Sequence, residues 1–253
     1  MPVNRPQYFE SGVYHIYNRG VAKLPIFLNE DDYHDFQDIL RYLLIGFPTK
    51  KDAILPRLPQ EAKPDLPVTY KADPLSNGLF RPFIDLIAYC LMPNHFHLLV
   101  QLKQPLGQTK RIDGRIASFQ TIPEFIRRLC ITYGHKFNRR YKREGAVFQG
   151  RFKVKHIPQD PDVLQIARYI HLNPVISGIV IRPEMYLFSD FNIYIVPGSL
   201  FQFQFTKTRL ILSYFSGNPN RYKDFIEATI TENEAKVIGK YIVDADEDHE
   251  QKF

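Results

Sequence analysis

Two apolar, strand-like runs stand almost back to back in the middle of the chain. Phe83 to Leu91 (FIDLIAYCL) is the first, and His95 to Leu102 (HFHLLVQL) is the second. Only Met92-Pro93-Asn94, which is turn chemistry, separates them. Runs joined this tightly form a hairpin-like pair, so the chain is committed to an antiparallel sheet at its centre.

The flanking segments set the fold class. Val13 to Asn18 (VYHIYN) alternates apolar and polar residues and predicts a strand that ends at Arg19-Gly20. Asn29-Glu30-Asp31-Asp32 supplies an N-cap and an acidic first turn. The helix after it carries Tyr33, Phe36, Ile39, Leu40, Leu43 and Leu44 at helical spacing, and Gly46 and Pro48 stop it. Residues 50–82 are rich in Pro, Lys and Asp without a sustained period and predict an inserted loop. After the hairpin, the Gly/Lys/Gln-containing stretch from Gln104 to Thr121 carries no assigned element. Pro123 then opens a long helix to about Arg143, and Val147 to Ile157 can hold a short strand. Asp160-Pro161-Asp162 starts another helix, with Asp160 as cap, and Asn173-Pro174 closes it. Strand, helix, strand, strand, helix, strand, helix fits an α+β domain, an antiparallel sheet with helices on one face. Residues 1–190 are expected to form that domain. Residues 191–253 are expected to add a small C-terminal helical extension, with short helices over Lys207 to Phe215, Pro219 to Ile230 and Thr231 to Val243.

Composition narrows the setting. No long uncharged apolar run is present, so no membrane span is expected, and Met1 to Glu10 lacks the apolar stretch of a secretory signal. Cys90 and Cys130 each lie in an apolar segment and read as reduced core thiols of a cytoplasmic protein. The formal net charge is +6, and its distribution is uneven. From residue 127 to residue 155 stand Arg127, Arg128, Lys136, Arg139, Arg140, Lys142, Arg143, Arg151, Lys153 and Lys155, against one acid, Glu144. Tyr133, Phe137, Tyr141, Phe148 and Phe152 are interleaved with them. Cations beside aromatics suit unstacked bases and their phosphates, although the helical spacing of Phe125, Leu129, Tyr133 and Phe137 marks part of this set as core. The chain ends the opposite way, with Asp244, Asp246, Glu247, Asp248 and Glu250.

Two constellations carry chemistry. In a strand, His95 and His97 point to one face while Phe96 turns to the other, so both imidazoles can converge on one metal. Imidazole pairs suit Mn, Fe or Zn and tolerate Mg less well. A His-x-His pair is also met as two surface histidines on an exposed sheet face. On the helix beginning at Asp160, Tyr169 and Asn173 stand four apart on one face. Asn173 can offer a carbonyl oxygen to a metal, and Tyr169 can lie beside it. A tyrosine hydroxyl, with a reference pKa near ~10, is a poor nucleophile unless the phosphate it attacks is polarised. His171 points elsewhere on the helix and is not a preferred ligand.

Four separated segments then occur in an order that resembles a known family. Tyr14-His15-Ile16-Tyr17-Asn18-Arg19-Gly20 comes first, and Ala88 to Leu99 (AYCLMPNHFHLL) second. Phe148-Gln149-Gly150-Arg151-Phe152 is third, and Arg168-Tyr169-Ile170-His171-Leu172-Asn173-Pro174-Val175 fourth. Over about Tyr14 to Gly178 the chain resembles the REP-associated tyrosine transposases, single-tyrosine HUH enzymes of the IS200-like insertion-sequence group. The resemblance implies a ferredoxin-like HUH nuclease fold and a divalent metal, Mg or Mn, on His95 and His97 with Asn173 as third ligand. It also implies Tyr169 as nucleophile, giving a 5′-phosphotyrosine and a free 3′-OH on hairpin-forming single-stranded DNA. Monomers and homodimers with exchanged tyrosine helices both occur among such enzymes. Arg19, Arg127, Arg128, Arg139, Arg140, Arg143, Arg151 and Lys153 are expected to contact DNA. The insertion at 50–82 departs from the family pattern. So does Tyr186-Leu187-Phe188-Ser189-Asp190, where relatives often carry Trp-Ser-Ser. The alternative reading is a domesticated protein that holds structured DNA or RNA without cutting it.

Overall fold

The computed structural model of the chain describes residues 7–46, 80–104, 109–112, 115–118, 121–196 and 205–241. The expected inserted loop lies, up to residue 79, outside the described residues, as does the acidic run from Asp244 to Glu250. Along the chain come β1 (Tyr8–Phe9), β2 (Val13–Arg19), α1 (Glu30–Ile45), β3 (Ile84–Met92) and β4 (His95–Leu102). Then come β5 (Thr109–Ile112), β6 (Arg115–Ser118), α2 (Thr121–Tyr141), β7 (Lys153–Ile157) and α3 (Asp160–Ile176). Four short helices finish it: α4 (Phe191–Ile195), α5 (Arg209–Ser213), α6 (Pro219–Glu227) and α7 (Glu232–Tyr241).

The main sheet is antiparallel, with four strands in the order β3-β4-β2-β7. Read with α1 and α2 between strands, that is the βαββαβ order of a ferredoxin-like sheet, with the first and third strands at the centre. The fold is α+β, as expected. β3 is an edge strand, and an uncovered edge would offer unpaired backbone groups to another chain. Here Leu86 bridges Thr206 and Cys90 bridges Ser189, while Leu91 N donates to Phe188 O at 2.9 Å. The Tyr186-to-Asp190 segment therefore covers part of that edge.

Several details differ from the sequence reading. The stretch from Gln104 to Thr121 contains β5 and β6, paired as a hairpin, with β1 added to make a second sheet in the order β1-β6-β5. α3 is capped by Gln159 rather than Asp160, which lies within the first turn beside Pro161. Asn173-Pro174 does not end that helix, since Pro174 sits inside it and the helix runs to Ile176. Proline removes one backbone donor, a small loss so near a helix end. The following loop folds back onto the last turn, with Gly178 N on Val175 O and Ile179 N on Pro174 O, both at 2.9 Å.

By the contacts within it, the chain divides into two compact units. Among the described residues, one unit holds 7–11, 19–46, 80–85, 102–104, 109–112, 115–118 and 121–151, and the other holds 12–18, 86–101, 152–196 and 205–241. In the first, α1 starts as predicted, with Asn29 accepting from Asp32 N at 3.2 Å. Phe27, Tyr33, Phe36 and Tyr133 form its aromatic centre. In the second, Val13, Leu99 and Ile157 from the sheet share a core with Val163, Ile166, Ala167 and Ile170 of α3. Phe191, Ile211, Tyr222, Ile226 and Ile238 of the later helices close the same core. The C-terminal helices are thus part of the core of this unit.

Gly20 follows β2 at a point of close approach. A Cβ there would lie 2.0 Å from the Leu24 carbonyl oxygen and 2.9 Å from Ile26 Cγ2. Gly20→Ala is expected to lower stability by about 1–3 kcal/mol through overpacking. An unchanged urea midpoint would contradict that.

Candidate functional site

The second unit gathers the expected residues on one face of the sheet. β2 pairs with β7 in a register that sets Val13 opposite Ile157, His15 opposite Lys155 and Tyr17 opposite Lys153. Partners across an antiparallel pair project to the same side. This face is therefore apolar at the Val13 end and polar at the Tyr17 end. His15 stacks on Tyr17 at 5.1 Å between centroids and on His97 of β4 at 5.1 Å. His95 meets His97 edge-on at 4.9 Å. Phe96, between them, is fully buried, as the strand period requires.

Helix α3 brings the other two residues. The ring of Tyr169 lies 5.5 Å from that of His97 and 6.4 Å from that of His15, edge-on to both. One turn on, Asn173 Nδ2 is 3.3 Å from His97 Nε2. Asn173 is 2% exposed, and its Oδ1 is buried without a hydrogen-bond partner. A single chain therefore brings Tyr169, His97 and Asn173 together, with His95 beside His97. Among the described residues, no group of three His, Cys, Asp or Glu side chains could hold a metal ion.

Hydrogen-bond partners fix the imidazole tautomers. His95 Nδ1 faces Asn94 Oδ1 at 2.6 Å, and that oxygen only accepts, so Nδ1 carries the hydrogen. Asn173 Nδ2 only donates, so His97 Nε2 accepts and its hydrogen is on Nδ1. In its neutral form, each ring with its hydrogen on Nδ1 presents Nε2 as the unprotonated nitrogen. His97 Nδ1 is 3.0 Å from His15 Nε2, and His15 Nδ1 is 3.3 Å from the Tyr241 carbonyl oxygen. Burial pushes the His15 imidazole down to about 4, with the Tyr241 carbonyl partly opposing the shift.

His171, between Tyr169 and Asn173 in sequence, faces away from them, as expected. Its Nδ1 is 2.7 Å from Tyr222 Oη and its Nε2 is 2.9 Å from Asp190 Oδ1, all three residues being buried. Asp190 Oδ1 also accepts from Tyr89 N at 2.8 Å. This network holds the back of α3.

The cations expected to contact DNA do not behave alike. Arg127 and the buried Arg128 both bond Glu124 at 2.7 Å. Arg140 pairs with Asp32 and, at 2.5 Å, with Asp35, which also takes Lys136 at 2.6 Å. Charge-assisted bonds of this kind occupy the side chain's donors. The partner acids of α1 are about a hundred residues away in sequence, so the charge run concealed them. Arg19 Nε donates to Gln149 Oε1 at 2.6 Å, and Gln149 N to Arg19 O at 2.8 Å, which joins the first and third motif segments. Arg143 lies over the Phe137 ring, Arg139 is exposed near the end of α2, Arg151 is exposed, and Lys153 opens β7 on the site face. His15 and Tyr17, though in the first motif segment, and Lys155, though in the basic run, have no role at the site in the sequence reading. The available signal was the spacing of His15 and Tyr17 in an alternating strand, which puts them on one face.

No family model matches the chain. It is 33% identical over 114 residues to a Haemophilus influenzae protein named "Putative REP-associated tyrosine transposase". That alignment takes in 44% of this chain and 60% of the relative's length. A solved structure, "Structure of the REP associates tyrosine transposase bound to a REP hairpin", aligns at a TM-score of 0.49 and 17% identity. It covers 78% of this chain and 87% of that one. No described helix is long and apolar enough to cross a membrane.

The buried His15 carries a pH signature. The unfolded chain takes its proton near 6.5, whereas the folded chain resists it down to about 4. Between those values the unfolded state binds more protons, so stability falls as pH falls, by roughly 3 kcal/mol in total. Urea titrations of chelator-treated protein at pH 7 and pH 4.5 should show this slope. His15→Gln, which does not titrate, should flatten it; an equal slope in both proteins would refute the assignment.

Proposed function

We propose that the chain is a metal-assisted single-tyrosine strand transferase of the REP-associated tyrosine transposase kind, which cuts and rejoins hairpin-forming single-stranded DNA. The observation that carries this reading is the meeting of Tyr169, His97 and Asn173 on one sheet face of one chain. The name of the Haemophilus influenzae relative points the same way. A complete set within one chain favours a monomeric enzyme over one that exchanges its tyrosine helix.

The donors fit a divalent ion, Mg or Mn. His95 and His97 hold Nε2 unprotonated, and Asn173 Oδ1 is a buried oxygen lacking a partner. A half-turn of the Asn173 amide brings that oxygen to the side facing His97 Nε2, where two lone-pair donors call for a cation. An ion bound by these three residues would polarise the scissile phosphate and offset the charge developing on it.

Tyr169 supplies the attacking oxygen. Its Oη bonds to phosphorus, the bond from phosphorus to the 3′ oxygen breaks, and a 5′-phosphotyrosine and a free 3′-OH result. The phenol loses one proton and the departing oxygen gains one. Attack by a 3′-OH on the phosphotyrosine reverses the step, so rejoining needs no external energy source. Packing of Tyr169 against His97 and His15 limits its motion, which lowers the entropic cost of positioning it.

Lys153 and Lys155 share the site face through their pairing with Tyr17 and His15, and they are placed to meet phosphates. Arg19, Arg139, Arg143 and Arg151 belong to the first unit and are kept as separate candidates for DNA contact. Arg127, Arg128 and Arg140 answer carboxylates of their own unit and are left out of it.

Incubation with a labelled single-stranded hairpin and Mn²⁺ should yield a covalent protein–DNA adduct, absent in Tyr169→Phe. An adduct of the same yield in that variant would remove Tyr169 from its role. Hairpin binding without any adduct from the unaltered chain would favour the non-cleaving binder. Lys153→Ala should weaken hairpin binding and reduce the slope of log K against log salt by about 1. An unchanged slope would exclude Lys153 from phosphate contact.

A further inference from the structure

We propose that His15, held by the backbone carbonyl at the end of α7, is a positioning residue that fixes which nitrogen of His97 faces Asn173. The consequence for metal binding rests on the function proposed above, whereas the tautomer does not.

The protons can be traced from two ends. At one end, the Tyr241 carbonyl only accepts, so His15 Nδ1, 3.3 Å away, carries a hydrogen. At the other, the Asn173 amide nitrogen only donates, so His97 Nε2 is bare and Nδ1 carries the hydrogen. His15 Nε2 and His97 Nδ1 then meet at 3.0 Å as acceptor and donor. Both assignments agree at the central bond. Moving the His97 hydrogen to Nε2 would set two lone pairs against each other at His15, and a half-turn of the Asn173 amide, which could accommodate that hydrogen, does nothing for the His15 side. His15 is fully buried and His97 is 4% exposed, so water is poorly placed to relieve that mismatch.

The Tyr241 carbonyl is held firmly enough for this role. Tyr241 Oη donates to Asp162 Oδ2 at 2.5 Å, and Ile238 and Tyr241 lie in the core of the second unit. Glu234 of α7 accepts from Gln165 Nε2 at 3.1 Å and pairs with Arg168 Nη1 at 3.3 Å. All these partners lie on α3, the helix that also carries Tyr169 and Asn173. One helix thus positions the far end of the relay through α7 and the near end through Asn173. A partner on the distal nitrogen of a metal-binding histidine orients the ring and sets its tautomer.

Long-range ¹H–¹⁵N correlation spectra of the unaltered chain, recorded without metal, test the tautomer directly. Both His15 and His97 should be protonated at Nδ1 and bare at Nε2; a His97 protonated at Nε2 would overturn the proposal. Mn²⁺ titration tests the consequence. His15→Gln keeps one donor and one acceptor and should bind Mn²⁺ within about threefold of the unaltered chain, whereas His15→Phe keeps neither and should bind it about tenfold or more weakly. Unaltered affinity in a folded His15→Phe protein would overturn the positioning role. Should His15→Phe not fold, Tyr241→Phe, which cuts only the tie to Asp162, should show a weakened His15 Nδ1 bond in the same spectra, and an unaffected bond would count against α7 as the anchor. Loss of the DNA adduct reaction with these spectra intact would sink the proposed function and leave the relay standing.

Discussion

A buried imidazole has two nitrogens and must answer for both. At the polar end of the sheet face, the 3.0 Å bond between His15 and His97 meets that demand for one nitrogen of each ring. Their remaining nitrogens reach a carbonyl at the end of α7 and an amide on α3. Four elements that are distant in sequence, β2, β4, α3 and α7, are thereby tied at a single point. His97 meets Asn173 at that point, with the ring of Tyr169 5.5 Å from that of His97. Cooperative hydrogen bonding in a dry site makes such a chain unforgiving, because breaking one link leaves a buried polar group unmatched.

Helix α3 works on two sides for the same reason. Its residues 169 and 173 turn to the sheet face, while His171 turns to Asp190 and Tyr222. Arg168, between these faces, pairs with Glu234 and lies over the Phe225 ring. A helix bonded on both sides can hold a side chain to a narrow range of positions, as the role proposed for Tyr169 would require.

Much of this was legible from local pattern. The β3–β4 hairpin followed from two apolar runs and a Pro-Asn turn, and β4 begins and ends where the second run does, from His95 to Leu102. The i, i+4 spacing of Tyr169 and Asn173 put them on one face of α3 before any coordinates. What local pattern could not show was partnership across long separations. His15 and Tyr241 are 226 residues apart, and their bond joins a side chain to a carbonyl, which no residue type announces. The run from Arg127 to Lys155 read as a phosphate surface because Asp32 and Asp35 approach it only once α1 packs on α2. Glu124 and Arg128 stand four apart on α2, so the spacing alone already allows that pair. The strands β5 and β6 lie in a polar stretch whose pairing supplies the order that its composition does not.

The closing of the second unit's core by α6 and α7 has a consequence for how two copies of such a chain could trade parts. Pulling α3 alone into a neighbour would strand His171 and Asp190 in an apolar interior and strip Arg168 and Asp162 of Glu234 and Tyr241. The smallest piece that can leave without orphaned charges is the whole stretch from α3 through α7, and His15 would then bond a carbonyl belonging to the other molecule. Helix α3 is thus bound to most of its compact unit and could not be exchanged alone.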